Sequence, residues 1–173
     1  MTDATRIKKL RSLLLNAGLI AAVFFGGLAF QSRNMLPTDA QPAPNLRGTT
    51  LAGEVYDLGD AAARPAMVYF FAPWCRICAL SSGNLNRLRR WRDPEDIEIV
   101  AVALDWGAAQ EVRDYVERHD LNVTVVLGDA TVSRQWQIRG FPSYYVLDSE
   151  HRIVRRDIGY SSQLGLWLRA WLI

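Results

Sequence analysis

Cys75 and Cys78 are the two cysteines of a 173-residue chain, and they stand three positions apart in "APWCRIC", residues 72–78. Two thiols at that spacing are a redox pair, half of a metal site or a short crosslink. A structural zinc site needs four ligands, commonly a second Cys pair or two spaced histidines. The sequence has no second pair, and His119 and His151 fall in the charged stretches "ERHDL" and "SEHRI", which read as solvated surface. No metal and no cofactor is therefore expected. A crosslink closing so small a loop constrains little of the unfolded chain. A redox pair needs one thiol made reactive by its surroundings and a second within reach to resolve the mixed disulfide.

The elements around the pair supply those surroundings. "AMVYFFA" (66–72) is a continuous apolar run rich in β-branched and aromatic residues, stopped by Pro73, and reads as a strand buried on both faces. From Cys75 to Arg92 the pattern turns helical, with Ile77, Leu80, Leu85, Leu88 and Trp91 roughly on one side, "RLRRWR" outside and Asp93-Pro94 as the stop. Cys75 thus falls at a helix N-terminus, where free N–H groups and the helix dipole favour a thiolate, and Cys78 lies one turn in. Arg76, between them, adds a cation that favours the thiolate further and, by stabilising the reduced form, makes the disulfide more oxidising; Ile77 completes the dipeptide.

Further along, "IEIVAVAL" (97–104), "VTVVLGD", "GFPSYYVLD" and "RIVRRDIGY" read as strands. "AAQEVRDYVERHD" and "ATVSRQWQI" read as helices, and "LRGTTLAGEVYDLGDAAARP" as an entry hairpin. In "SSQLGLWLRAWLI" the residues Leu164, Trp167, Leu168, Trp171 and Leu172 repeat at helical spacing, widened by Leu166 and Ile173, and the stripe is expected to be core. Strands alternating with helices imply an α/β domain on a partly parallel sheet.

Charge places the domain. Of 20 basic and 18 acidic residues, Arg6, Lys8, Lys9 and Arg11 precede residue 12 with only Asp3 against them, so the remainder is near neutral. A neutral body excludes a nucleic-acid binder, and "RLRRWR" is a solvated face. Ser12 to Phe30 carries no formal charge and is long enough to span a bilayer as a helix. The expected organisation is a cytoplasmic basic N-terminus (1–11), a transmembrane signal anchor (12–30), a proline-bearing linker (31–45) and a catalytic domain (46–173), exported by the positive-inside rule. A cleaved signal peptide is the alternative, but "GLAFQS" offers no Ala-x-Ala site.

"YFFAPWCRIC" resembles the active-site strand and motif of thioredoxin-fold oxidoreductases, and "IRGFPSYYVLD" resembles their segment with a cis-proline, here Pro142. The extra strand-helix unit between the two, the anchor and the entry hairpin are similar to the TlpA/ResA-like branch, including its ScsD-type membrane-anchored proteins. The resemblance spans roughly residues 42–173. It implies a thioredoxin fold with a strand-helix insertion. It implies Cys75 as nucleophile and Cys78 as resolving thiol. Trp74 would shield the disulfide and contribute substrate surface. Pro142, after Phe141, would be cis and present backbone groups to a partner chain. It also implies protein substrates held as mixed disulfides, and a bacterial inner-membrane protein with its domain in the periplasm. Such a protein reduces specific partners with electrons from a membrane thiol transporter, disulfide oxidation or isomerisation being the alternative. Two acid positions of relatives are filled otherwise, by Tyr69 six residues before Cys75 and by Ser81 six residues after it. The peroxidase pattern Pro-x-x-x-Thr/Ser-x-x-Cys is absent, since Val68 and Ala72 precede Cys75, and Phe71 precedes Cys78 with Cys75 in the Thr/Ser place. A copper-handling factor is the non-enzymatic alternative, two thiolates suiting Cu(I).

Overall fold

The computed structural model describes residues 3–32, 35–60 and 63–171. Leu172, Ile173 and linker positions 33 and 34 lie outside the described residues, as do the side chains of Arg6 and Lys8. The chain divides into two units, residues 1–34 and 35–173. The first is one helix, α1 (Asp3–Ser32), which covers the expected anchor. Among the described residues no helix is long and apolar enough to cross a membrane. The side chains of Ala21, Phe24, Phe25, Leu28, Ala29 and Phe30 in the expected span lie outside the described residues.

The second unit is built on a seven-stranded mixed sheet. Its strands are β1 (Arg47–Thr50), β2 (Val55–Asp57), β3 (Ala66–Phe71), β4 (Glu98–Ala103), β5 (Thr124–Leu127), β6 (Ser143–Leu147) and β7 (Ile153–Ile158), in the spatial order β2-β1-β5-β4-β3-β6-β7. β3, β4 and β5 run parallel; β6 and β7 on one side and β1 and β2 on the other run antiparallel. The expected hairpin is β1–β2. β3 lies in the middle with every residue buried, as its unbroken apolar run requires.

Alternate side chains of β3 feed two cores. Met67, Tyr69 and Phe71 face one layer, with α2 (Arg76–Trp91), α3 (Ala109–Arg118) and α5 (Gln163–Trp171) contributing Leu85, Tyr115 and Leu166. Val68 and Phe70 face the other, closed by α4 (Ala130–Gln135), Trp136 and the incoming segment.

Four expectations are corrected by this packing. Residues 35–45, expected as linker, are tied to the domain. Met35 and Leu36 are buried, the Arg156 guanidinium donates to both their carbonyls at 2.6 Å, and Leu36 N–H donates to the Tyr145 hydroxyl. Pro42 also bridges to Arg152. In α5 the stripe expected in the core faces out: Leu164 and Trp171 are 65% and 61% exposed, while Leu166 and Ala170 are buried. The inward face is chosen by fit. Ala170 is small enough for close approach, and Arg169 must reach Asp157 on β7. In α2, Ile77, Leu80 and Trp91 are exposed, and the buried face holds Cys78, Ser81, Ser82 and Asn84 beside Leu85 and Leu88. His119 is half-buried against the Tyr115 ring (4.5 Å), and His151 is likewise half-buried, neither being the solvated surface residue expected.

Candidate active site

Cys75 ends the loop after β3 and is the N-cap of α2, with extended backbone (φ −79°, ψ 105°) and its N–H donating to Ala72 O at 3.0 Å. Its Sγ accepts the N–H of Cys78 at 3.1 Å. A sulfur in the place of a capping oxygen meets the free N–H groups of the first turn, which favour its charged form. Cys75 and Cys78 are joined as a disulfide, Cα–Cα 5.2 Å. Cys78 is 0% exposed and Cys75 is 7% exposed. An incoming sulfur therefore meets Cys75 first.

The backbone of Cys78 is held from below. Its carbonyl accepts from the Tyr69 hydroxyl on β3 and the Ser82 hydroxyl on α2, both at 3.1 Å. Ser82 is in turn 2.9 Å from the Tyr115 hydroxyl; since the Ser82 proton goes to Cys78, Tyr115 is the donor. Burial pushes the Tyr69 and Tyr115 hydroxyls above their ordinary range, so they stay protonated and act as donors. Tyr69 and Ser81, the two positions where relatives carry acids, thus both hold buried hydroxyls.

The rim is aromatic. Trp74 is 62% exposed; its indole N–H points at the main-chain oxygen and the carboxylate of Asp105, both at 3.1 Å. Its ring meets Phe141 edge-on, centroids 5.8 Å apart. The Phe141–Pro142 peptide is cis and Pro142 is buried, its carbonyl accepting from Gly159 N–H at 2.8 Å. Between the loops runs a groove of about 670 Å³, lined among others by Trp74, Leu104, Asp105, Trp106, Ile138 and Phe141. Arg76 and Ile77 are both exposed, beside the disulfide in sequence and open to solvent.

The sequence reading singled out Trp74, Cys75, Cys78, Phe141 and Pro142, and the structure joins the cysteines and brings Trp74 onto Phe141. It missed Asp105, Ser82 and Tyr115. Asp105 had a signal, since it directly follows the apolar run 97–104, the next buried strand after the one that leads into the cysteines; for Ser82 and Tyr115 there was none.

Fold and site define a thioredoxin-fold protein with a redox disulfide, of the thiol–disulfide oxidoreductase class. More particularly, the chain belongs to the AhpC/TSA family, which matches residues 40–156. It is 29% identical over 167 residues to a thioredoxin-like protein of Haemophilus influenzae, covering 95% of each chain. It is 24% identical over 126 residues to the thioredoxin-like protein YneN of Bacillus subtilis, covering 70% of this chain and 72% of the relative. Among solved structures, a thiol:disulfide interchange protein of Chlorobium tepidum superposes with TM-score 0.70 at 18% identity, covering 79% of this chain and 98% of that one. A secreted disulfide oxidoreductase of Mycobacterium tuberculosis superposes with TM-score 0.65 at 19% identity, covering 74% and 96%. These superpositions bear on the fold.

Proposed function

We propose that the chain is a membrane-anchored periplasmic protein thiol–disulfide oxidoreductase that exchanges the Cys75–Cys78 pair with partner proteins, acting as a reductase. The observation that carries the exchange chemistry is Cys75 capping α2, with its sulfur on the Cys78 N–H and Cys78 buried behind it. Reduction of a partner begins with the Cys75 thiolate attacking the partner disulfide. Cys78 then attacks Cys75, and the partner leaves as a dithiol. Trp74 and Phe141, next to the cis Pro142, would be the surface a partner segment lies on. Anchoring is supported by the 19-residue uncharged run behind a basic cluster. Reduction in the periplasm requires a source of electrons, which a membrane thiol transporter would supply.

Peroxide reduction is the other chemistry suggested by the family's name, and Val68 and Ala72, where its Pro and Thr/Ser would stand, argue against it.

Trapping tests the proposal. In membranes bearing the full chain with Cys78→Ser, partner proteins should accumulate as conjugates that reductant dissolves, and Cys75→Ser should accumulate none. Conjugates formed equally by both variants, or recovered only outside the membrane fraction, would refute it. A reduction potential at the strongly oxidising end of thioredoxin-fold proteins would refute the reductase direction alone.

A further inference from the structure

Two buried hydroxyls on the core side that holds Cys78 form no well-aligned hydrogen bond with any described residue: Ser81 Oγ and Tyr144 Oη. Both residues are closed to solvent, at 0% and 1% exposure. Ser81 stands three residues beyond Cys78 on α2, hence on the same face of the helix. Tyr144 stands opposite Tyr69 across the β3–β6 ladder, with ring centroids 5.1 Å apart, and Tyr69 is the residue that reaches the Cys78 carbonyl. Ser81 lies near enough to Tyr144 for its hydroxyl to act on the phenol.

A buried hydroxyl without a partner costs about 1–3 kcal/mol, and native proteins carry few of them. Rotation of the two toward each other would not remove the problem. A pair of hydroxyls has two protons and uses one, so a donor is always left over. The state described here is the disulfide, in which sulfur is neutral and a weak acceptor. Opening the bond changes that, because a thiolate is a charged acceptor and its hydrogen bonds are about twice as strong as neutral ones.

We propose that Ser81 and Tyr144 are positioning residues of the exchange reaction, left with an unused donor in the disulfide form so that they donate to Cys78 Sγ when it becomes a thiolate. The inference rests on thiol–disulfide exchange at Cys75–Cys78. In the release step the S–H bond of Cys78 breaks and its sulfur bonds to Cys75 Sγ. The bond between Cys75 and the partner sulfur breaks, and the electron pair leaves on that sulfur. The partner sulfur takes up one proton for the one that Cys78 gives away. Across the whole reaction the cysteine pair loses two electrons and the partner disulfide gains them.

The groups facing the two hydroxyls permit this. Tyr115 of α3 stays protonated, Asp157 of β7 is paired with Arg169 of α5, and burial holds the Tyr144 hydroxyl well above its ordinary range, so it remains a donor.

The test is the glutathione equilibrium of the full chain in detergent, with Ser81→Ala, Tyr144→Phe and the double variant, alongside unfolding of the oxidised and reduced forms. The double variant should shift toward the disulfide by about tenfold, ~30 mV for a two-electron couple. Its oxidised form should unfold no more easily than wild type, and its reduced form more easily. Each single variant should move the same way by a smaller factor, which keeps the test intact if the double variant fails to fold. Tyr56→Phe removes another unpaired buried hydroxyl, in the opposite core layer, and should move nothing. An unchanged equilibrium, or equal destabilisation of both redox forms, overturns the inference by reducing the two residues to packing. If the wild-type chain itself fails to equilibrate with glutathione, the exchange reading falls first and this inference with it.

Discussion

Asp105 and Asp157 are two carboxylates that the fold uses differently. Asp105 adopts a left-handed backbone (φ 52°), uncommon for a residue with a side chain, and in that conformation its carbonyl and its carboxylate both meet the Trp74 indole. Asp157 sits opposite Tyr144 on β7 and pairs with Arg169. Burial raises its pKa, and the Arg169 charge only partly opposes this. The folded state therefore binds this proton more tightly than the unfolded chain. Its contribution is most favourable below the ordinary carboxylate range and is lost as pH rises from about 3.8 through the raised folded value. Asp157→Asn fixes the neutral form. In denaturant titrations the stability of Asp157→Asn relative to wild type should rise from pH 4 to pH 7. A fall over the same range would mean that the ion pair outweighs desolvation. At this scale the sequence is legible where residue type names the chemistry: Cys75, Cys78, Trp74 and the proline after Phe141. Asp105 and Tyr115 are not legible, because their partners are 31 and 33 residues away and only the sheet brings them together.

Strands are easier to read than helix faces in this chain, and the reason is physical. The run at β3 admits one interpretation, since a strand apolar at every position must be covered on both sides. The helix α5 has an obvious apolar stripe, and periodicity alone would bury it. The fold buries Leu166 and Ala170 instead; Trp171 and Leu168 are exposed, and the half-buried Trp167 stacks on Trp171 (5.6 Å). The same holds in α2, where small polar residues pack inward because the facing elements offer them the Tyr115 hydroxyl and the Ser161 carbonyl. Leu166→Ala should lower unfolding free energy by about 2–5 kcal/mol, and Trp171→Ser by under about 1 kcal/mol. Guanidinium melts of the two variants decide it. A loss at Trp171 as large as that at Leu166 would mean that the stripe is buried in solution.

Residues 35–45 belong to the body of the molecule, although their prolines and weak periodicity read as linker. Their burial comes from Met35 and Leu36 in the second core and from Arg156, which lies over a hundred residues away. A fragment starting at residue 46 leaves the Arg156 guanidinium and the Tyr145 hydroxyl without these partners and uncovers part of that core. It should be less stable than a fragment starting at residue 35 by about 3 kcal/mol, counting two buried side chains at about 1.5 kcal/mol each. Thermal melts of the two fragments test this, and equal midpoints would show the segment to be a passive tether.

The unequal burial of the two sulfurs also governs time. A visitor can bond only to Cys75, and the sulfur best placed to dislodge it, that of Cys78, is already attached to the same helix. Release by Cys78 is then a first-order step within one helix, running beside whatever second-order release thiols outside provide. Added outside thiols shorten a visit, while the Cys78 route sets how long it lasts in their absence.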